Sequence, residues 1–512
     1  MHARGDGSGL LQCLPMNAPE TPPKRRFRKR WIAWAALAGW AALGVWTTVK
    51  PMPPGTNVST QAVAAAATDI RFLTDLTYAD GQGKIVHEQQ IFDAVLGIID
   101  HAESFIIADF FLLNDFMGAD GSVYRQLSRQ LVDHLIARKQ EQPRLAVLLV
   151  TDPINEVYGG MQSELLAELK TAGIDVVLTE LEALRDSNPG YSSVWRLVGQ
   201  WWGNSLQGGS RPNPFDTEAR PITLRSWLAL LNFKANHRKL VVADRSDGSV
   251  AGLVTSANPH DASSAHSNVA LSFTGSTALK IAESEQAIAR FSGWTATIFA
   301  SSPELAPESP PQTSVQISFV TEQAIREHLL SSIDAARNGD SVRMAMFYLS
   351  DRKIIAALLA AAERGVDLKL ILDPNKDAFG RTKDGVPNRP VANELVSQSE
   401  GRIQVRWYRT HGEQFHTKLT LITSGDRVIA SLGSANLTRR NLGNYNLEAN
   451  IALAMPGDST LARDMLGFFD RLWNNEGAPD TEFTAPFGAY ADTDRGRYWR
   501  YRLMEATGIG TF

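Results

Sequence analysis

The sequence predicts an α/β protein of two similar lobes, each a mixed sheet flanked by helices, preceded by an N-terminal transmembrane helix. Apolar strand patterns alternate with helical patterns along the chain, which favours sheets covered by helices. Several of these patterns recur in the same order in the second half of the 512 residues, which predicts the duplication. Nineteen consecutive uncharged residues, 31–49, predict the membrane helix.

The membrane helix is indicated by its flanks as well as by its length. The basic run KRRFRKR at 24–30 precedes it, so the positive-inside rule leaves residues 1–30 as a basic tail in the cytoplasm. The expected localisation is the cytoplasmic membrane, with a single pass and the body of the chain on the extracytoplasmic side. A cleaved signal peptide is the open alternative, because the small residues AVAAAAT at 62–68 suit a cleavage site.

The duplication sets the expected domain boundaries. IIADFFLLND in the first half is echoed by MAMFYLSD in the second, and LAVLLVTDP is echoed by LKLILDP. The Asp-Pro pairs at Asp152 and Asp373 are interpreted as turns at strand ends. The chain is then divided into a basic tail 1–30, an anchor 31–49, a linker 50–68, a first lobe 69–300 with a Trp-rich insertion at about 184–232, a Pro/Ser linker 301–314, a second lobe 315–478 and a C-terminal tail 479–512.

Composition narrows the class of function. Cys13 is the only cysteine, so neither a disulfide framework nor a cysteine-based metal site is expected. The first 50 residues carry a net charge of +6 and the whole chain −4, which leaves −10 on the body. An acidic body is poorly suited to binding phosphate backbones, and no nucleic-acid partner is expected.

Two copies of a His-x-Lys motif carry the chemistry. NHRKLVVADRSDG contains His237 and Lys239, and FHTKLTLITSGDR contains His416 and Lys418. Residues two apart on a strand share a face, and each motif is followed by a turn and a returning strand. The returning strands are expected to bring four further polar residues to the motifs: Ser256, Asn258, Ser434 and Asn436.

This set of groups suits phosphodiester chemistry. Lysines and hydroxyl or amide donors offset the charge that repels a nucleophile from phosphorus. One neutral imidazole can attack phosphorus while the other, protonated, donates to the leaving oxygen. The pattern contains no carboxylate cluster or His/Cys spacing of the metal-binding kind, so no metal and no cofactor are expected.

At these residues the chain resembles the phospholipase D superfamily, whose signature H-x-K-x4-D, followed by a G-S/T-x-N-like segment, occurs twice. The resemblance covers roughly 69–478. It implies two phospholipase D-like lobes with the active site at their interface, a phosphoenzyme intermediate and no cofactor. The pattern is most similar to bacterial phospholipases D and cardiolipin synthases, which implies a phosphodiesterase or phosphatidyltransferase with a phospholipid substrate at a membrane.

The resemblance leaves alternatives open. They include a nuclease of the same superfamily and a non-catalytic descendant that binds lipid or a partner. Hydrolysis and transfer differ only in whether water or an alcohol reaches the intermediate, so the sequence does not separate them. The phospholipid and the oligomeric state are equally open.

The chain departs from the signature at two places. Asp244 completes the first motif, but Thr423 stands in its place in the second, where Thr423 or Asp426 is expected to brace the turn instead. Glu448 is expected to orient His416, whereas the matching stretch SSAHSNVAL of the first lobe offers no acid.

These departures bear on the roles of the two histidines. The resemblance favours His237 as nucleophile and His416 as acid, while the residue that orients His237 is left open. The nearby His260, His266 and His411 are each expected at the surface.

Overall fold

A computed structural model describes residues 26–116, 125–216, 219–299, 314–378, 381–477 and 481–512. Most of the predicted basic tail, including Cys13, and the Pro/Ser linker up to residue 313 lie outside the described residues.

The first part of the chain contains the N-terminal helix, one short strand and the whole first lobe. Its elements, in chain order, are α1 (Arg26–Val49), β1 (Val63–Ala65), β2 (Ile70–Ala79), β3 (Ile85–Glu88), α2 (Ile91–Asp100), β4 (Phe105–Phe110), α3 (Leu127–Glu141), β5 (Ala146–Thr151), α4 (Glu164–Thr171), β6 (Asp175–Leu178), α5 (Pro189–Leu197), α6 (Leu224–Ala229), β7 (Lys239–Asp244), β8 (Val250–Thr255), β9 (Asn268–Thr274) and α7 (Ser276–Phe291).

The second lobe repeats this order with a small hairpin and a C-terminal helix added. Its elements are β10 (Val315–Thr321), α8 (Glu322–Ala335), β11 (Ser341–Met346), α9 (Arg352–Glu363), β12 (Asp367–Leu372), β13 (Asp377–Ala378), β14 (Arg381–Thr382), α10 (Asn388–Gln398), β15 (Ile403–Tyr408), β16 (Lys418–Ser424), β17 (Arg427–Gly433), α11 (Arg439–Leu442), β18 (Ala449–Pro456), α12 (Thr460–Asn474), β19 (Thr484–Pro486) and α13 (Arg495–Thr507).

The two large sheets have matching strand orders. The first runs β3-β2-β9-β8-β7-β4-β5-β6 and the second β1-β10-β18-β17-β16-β11-β12-β15-β19. In each sheet three strands are parallel (β4, β5 and β6; β11, β12 and β15), and the His-x-Lys strand pairs antiparallel to the first of them. The predicted fold class, two lobes of mixed sheet flanked by helices, is confirmed.

The lobes share one apolar core. The inner faces of both sheets meet there with α7 and α12, through buried side chains such as Leu240, Ile281, Leu421 and Phe468. Helices α2, α3 and α4 cover the outer face of the first sheet, and α8, α9 and α10 cover that of the second. Because the sheets face each other, the equivalent strands β7 and β16 lie at the centre of the molecule.

Segments that the sequence presents as linker and tail take part in the second sheet. Strand β1, within the expected linker 50–68, pairs antiparallel with β10. Within the expected tail 479–512, strand β19 extends the sheet beyond β15, and helix α13 packs on the second lobe. Glu505 of α13 is buried and accepts hydrogen bonds from Ser350 Oγ and the Arg439 backbone. The second lobe therefore includes chain from both sides of its expected boundaries.

Helix α1 contains the one span in the described residues that is long and apolar enough to cross a membrane, Arg30–Val49, with a mean hydropathy of 1.5 and only 11% of its most apolar window buried. The predicted Trp-rich insertion lies between β6 and β7 and forms α5 and α6. The C-terminal half of α1 packs against α5.

Candidate active site

The two motifs occupy equivalent places in the two sheets. His237 and His416 lie just before β7 and β16, and Lys239 and Lys418 are the first residues of those strands. The lysines are 0% and 1% exposed and the histidines 9% and 8%, so each imidazole retains only a narrow opening to solvent.

The Asp-Pro pairs hold the chain as it enters the motifs. Asp152 Oδ2 accepts a hydrogen bond from the Asn236 backbone N–H at 2.7 Å, and Asp373 Oδ2 accepts one from Phe415 at 2.7 Å. The other oxygen of each carboxylate caps the turn after its own strand. These residues therefore do more than end a strand, because they join that turn to the start of the motif.

Each lysine is held in the same way. Lys239 Nζ donates to the His237 carbonyl at 2.7 Å, and Lys418 Nζ donates to that of His416 at 2.8 Å. A phenylalanine at the end of the neighbouring strand packs on each pair: Phe111 lies 5.0 Å from the His237 ring and Phe347 lies 4.9 Å from the His416 ring, centroid to centroid. Sequence reasoning missed both phenylalanines, although FFLL and MFYL stand at matching places in the repeat.

The residues that orient the histidines come from the opposite lobe. His237 Nδ1 lies 2.9 Å from Glu448 Oε1, and His416 Nδ1 lies 3.1 Å from Asn268 Oδ1. Both oxygens accept hydrogen bonds, which places a proton on each Nδ1 and directs each Nε2 away from its orienting residue. The expectation that Glu448 orients His416 is wrong.

Backbone pairing between the lobes explains the crossed arrangement. The His237 N–H donates to the Leu447 carbonyl at 2.9 Å, and the Leu447 N–H donates to Ala235 at 3.0 Å. In the other direction, the Ser267 N–H donates to the Gln414 carbonyl at 3.1 Å. The segment that enters each motif is therefore paired with the segment that carries the other lobe's orienting residue.

The predicted serines hold the orienting residues. Ser256 Oγ donates to Asn268 Oδ1 at 2.9 Å, and Ser434 Oγ donates to Glu448 Oε2. These hydroxyls are engaged inside the protein, which differs from their expected role as donors at the phosphate. Asn258 Oδ1 accepts from the Leu112 N–H at 3.3 Å, and Asn436 is buried at the equivalent position.

Burial lowers the pKa values of the basic groups in the site. It brings the pKa of His237 to about 4 and that of Lys239 to about 7, and in both cases the Glu448 carboxylate opposes the shift. Burial and the nearby Lys418 ammonium hold the pKa of His416 well below its ordinary value. A phosphodiester anion among these groups would raise all three pKa values, because an opposite charge favours the protonated form.

Asp244 and Thr423 lie at the far ends of β7 and β16 from the lysines. Asp244 Oδ1 accepts from the backbone N–H groups of residues 103–105 at 2.9–3.2 Å and so braces the turn before β4. In the second lobe, Asp340 holds the equivalent turn, because its Oδ2 accepts from the Arg337 N–H at 2.8 Å and from Ser424 Oγ at 3.0 Å. The expected substitutes, Thr423 and Asp426, are not the residues that hold this turn.

Two histidines expected at the surface are buried. His266 is 4% exposed, its ring centroid lies 5.9 Å from that of His416, and its Nδ1 accepts from the Gln414 N–H at 3.3 Å. His260 is 5% exposed. His411 is partly exposed, and its Nδ1 lies 3.8 Å from Glu413 Oε1. The burial of His266 follows from the cross-lobe pairing at Ser267, which the sequence pattern does not reveal.

A cavity of about 550 Å³ lies on the second lobe. Tyr348, the neighbour of Phe347, lines it together with Lys383, Arg500 and the C-terminal Phe512. Lys383 Nζ lies 5.4 Å from the Phe347 ring centroid, which connects this cavity to the His416 side of the site. Within the described ranges, no group of three or more His, Cys, Asp or Glu side chains is arranged to hold a metal ion.

Part of the chain is similar in sequence to known proteins. A sequence profile described as "Cardiolipin synthase, PLD-like domain" matches residues 329–473. Cardiolipin synthase A of Cronobacter sakazakii (strain ATCC BAA-894) is 31% identical over 121 residues, which are 24% of this chain and 22% of that protein. The chain thus matches about a fifth of the length of this curated relative.

Solved structures resemble the chain in fold. Phosphatidylserine synthase from Haemophilus influenzae Rd KW20 superimposes on this chain with a TM-score of 0.50 at 11% sequence identity. The superposition covers 92% of this chain and 97% of the synthase chain. The phospholipase D family member Nuc from Salmonella typhimurium is 29% identical, with a TM-score of 0.25, over 31% of this chain and 94% of that one. The profile identifies a phospholipase D-like domain within the second lobe, and the sheet of the first lobe has the matching strand order.

Proposed function

We propose that this protein is a phosphodiesterase or phosphatidyltransferase that acts on phospholipid headgroups through a phosphohistidine intermediate. The observation that carries the proposal is the crossed pair of contacts, His237 with Glu448 and His416 with Asn268. These contacts orient two imidazoles from different lobes toward one site and leave both Nε2 atoms for chemistry.

In the first step, His237 Nε2 attacks phosphorus. The N–P bond forms as the P–O bond to the headgroup alcohol breaks, and the phosphorylated ring keeps its proton on Nδ1 and is positively charged. Glu448 stabilises that charge, because its buried carboxylate is 2.9 Å from Nδ1. His237 is therefore assigned as the nucleophile.

His416 is assigned the proton transfers. The substrate's negative charge raises its pKa, so that the protonated ring can give a proton to the leaving alkoxide. The neutral ring then takes a proton from water or an alcohol, whose oxygen attacks phosphorus and breaks the N–P bond. Water yields phosphatidic acid and the free enzyme, whereas a lipid alcohol yields a new phosphodiester.

The two lysines are proposed to stabilise the charge that develops on the phosphoryl oxygens. Each ammonium is already fixed by the carbonyl of its own motif, so little reorganisation is needed in the transition state.

A phospholipid substrate is supported by three features. Cardiolipin synthase A, the curated relative, is named for a phospholipid product. The cavity next to Phe347 has an apolar side and two cations opposite one carboxylate, so it offers both kinds of surface that an anionic amphiphile contacts; its lining includes Val386, Met504, Phe512, Lys383, Arg500 and Asp384. Helix α1 would keep the chain at a membrane, and the basic run before it favours an extracytoplasmic body.

The test uses the purified full chain in vesicles of phosphatidylethanolamine and phosphatidylglycerol, with lipid products identified by mass spectrometry. The proposal predicts phosphatidic acid or an exchanged phosphodiester. His416→Ala should lower the rate by about 100- to 10,000-fold, since general acid–base help is lost, and His237→Ala, which removes the nucleophile, should lower it at least as much. Cleavage of single-stranded DNA in the absence of any lipid product would favour a nuclease instead.

A further inference from the structure

The C-terminal half of helix α1 packs against the body of the protein. Trp40 Nε1 donates to the Gly190 carbonyl of α5 at 3.0 Å, and a Cβ added at Gly44 would lie 3.1 Å from Ser193 Oγ. One turn later, the Asp186 N–H donates to the Thr47 carbonyl at 3.0 Å. Trp40, Gly44 and Thr47 form one helical stripe, and the small residues at this contact are of the kind that packs helices closely in membranes.

The position of this contact along α1 sets its depth in a bilayer. Nine residues separate Trp40 from Val49, which is about 14 Å along an α-helix. Half of the hydrocarbon core of a bilayer is about 15 Å thick. When Arg30–Val49 spans the membrane, α5 therefore lies beside α1 within the leaflet that the body faces.

The outward surface of α5 suits such a position. Val194, Leu197 and Val198 are 50–54% exposed, and the following Trp201 and Trp202 are 75% and 46% exposed. These five residues, termed the α5 patch, are uncharged and all lie within residues 194–202. Exposed apolar patches of this kind mark interaction surfaces, and tryptophan favours the membrane interface.

The one charged side chain on α5, that of Arg196, is turned toward the body of the protein. Arg196 lies on α5 but bonds Glu182 Oε2 at 2.7 Å and Asp186 Oδ2 at 2.8 Å. Lys234 contacts Asp186 Oδ1 on the other side. This compact cluster neutralises the ionised groups next to α5, as a segment in contact with hydrocarbon requires.

We infer that the α5 patch inserts into the same leaflet as the C-terminal half of α1, so that the protein is seated in the bilayer and not merely tethered above it. The bilayer is the expected occupant because the patch is continuous with the face of α1 that would be in lipid. The seat is also close to the chemistry: Arg440 Nε of α11 donates to Ser187 Oγ at 3.3 Å, and Asn441 Nδ2 of α11 donates to Glu448. The site is thereby held at the level of the headgroups.

The test places a fluorescent label at single cysteines in the full chain with Cys13→Ser, one chain per lipid nanodisc. Val198→Cys reports on the patch, Leu37→Cys on α1, and Ile85→Cys on the β2–β3 hairpin serves as an exposed apolar control; their exposures are 50%, 48% and 38%. Nanodiscs are prepared with and without lipids brominated on the acyl chain, and iodide is used as the aqueous quencher.

Bromolipid should quench the labels at Val198 and Leu37 by roughly twofold or more and leave the label at Ile85 nearly unchanged, whereas iodide should quench only Ile85. The inference would be overturned if bromolipid quenched the label at Leu37 while iodide quenched the label at Val198 as strongly as the label at Ile85. It would also be overturned if the label at Val198 were protected from both quenchers, which would indicate a protein cover, or if bromolipid did not quench the label at Leu37. None of these readouts depends on catalysis, so failure of the proposed function would leave them interpretable.

Discussion

Glu448 and Asn268 occupy equivalent positions in the two lobes but differ in charge. The Ser434 N–H donates to the Ala449 carbonyl, and the Ser256 N–H donates to the Val269 carbonyl, so the residue before each acceptor is the structural counterpart of the other. A carboxylate therefore faces His237 and a neutral amide faces His416. This difference distinguishes two otherwise similar imidazoles and favours accumulation of positive charge on His237.

Asn268→Asp should change the pH dependence of the reaction. A carboxylate beside His416 favours the imidazolium, so it raises the pKa of that residue. Because His416 is assigned as the acid, activity falls as the pH rises through its pKa in the complex, and this alkaline limb should move to higher pH. The pH profile of kcat measures the shift; an unchanged alkaline limb would contradict the assignment.

Glu448→Gln should lower kcat by roughly 10- to 1,000-fold, because the charge on the phosphorylated His237 loses its buried counter-ion. The pKa of His237, already lowered by burial to about 4, should fall further. The acidic limb, along which His237 must be neutral to attack, should then move to lower pH. Asn441→Ala, which removes a donor to Glu448 but keeps the carboxylate, is the matched control. An equal loss in both variants would point to a structural role.

The sequence predicted the histidines and lysines because the repeat preserves them, but it assigned Glu448 to the wrong histidine. Sequence proximity favours partners within one lobe, whereas the contact depends on backbone pairing between Ala235 and Leu447, more than two hundred residues apart. Asn268 was missed for a related reason, since only strand register aligns it with Glu448.

At the level of elements, each lobe has an aspartate that braces one turn, the turn before β4 in the first lobe and the turn before β11 in the second. The two aspartates come from different elements. Burial raises the pKa of Asp244, but the backbone N–H groups at 103–105 outweigh it and hold the pKa below its ordinary value of 3.8. Asp340 belongs to the braced turn itself. The His-x-Lys motif can therefore lose its aspartate in the second lobe while the turn stays fixed.

Asp244→Ala should destabilise the protein by roughly 1–2 kcal/mol, because the N–H groups lose a charged acceptor. Since the folded pKa is depressed, this contribution is present above pH 3.8 and is lost as the pH falls through the folded value. Denaturant unfolding at pH 7 measures the loss. Thr423→Asp should change stability by less than about 0.5 kcal/mol and leave activity nearly unchanged. A large gain of activity in Thr423→Asp would mean that the second motif is impaired as it stands.

The elements of the sheets could be predicted because their strands are uniformly apolar and occur twice. Strand β1 and strand β19 were not predicted as parts of a sheet, since each is three residues long and lies at a sheet edge. The packing of α13 was also missed, because Tyr501 and Glu505 are buried within an otherwise charged helix. A three-residue strand, or a helix with one buried side chain per turn, has too few apolar residues for its hydrophobic periodicity to be recognised in the sequence.

For the whole molecule, a buried ion cluster joins the lobes beneath the site. Arg238, next to His237, contacts Glu285 at 2.9 Å within its own lobe and Glu322 of the second lobe at 2.8 Å. Glu322 Oε1 also accepts from the Glu448 N–H at 2.9 Å. Removing Glu322 would deprive the buried Arg238 of one of its two carboxylate partners and the Glu448 N–H of its acceptor.

Glu322→Ala should therefore destabilise the protein by about 3–5 kcal/mol and lower activity through displacement of Glu448. Because the lobes share one core, both lobes of this variant should still unfold in a single transition. Calorimetry of the detergent-solubilised chain measures that transition. Glu327→Ala, on the exposed side of the same helix α8, provides a control for helix propensity. Separate transitions for the two lobes would contradict a shared core.

The central claim, nucleophilic attack by His237 with proton transfer by His416, is tested most directly with a p-nitrophenyl phosphodiester. This leaving group needs no acid, so His416→Ala should complete the first step and stall before the second. We expect a burst of p-nitrophenolate equal to the enzyme concentration in His416→Ala, none in His237→Ala, and a phosphorylated His237 detected by mass spectrometry in His416→Ala. A burst in His237→Ala with the phosphoryl group on His416 would contradict it.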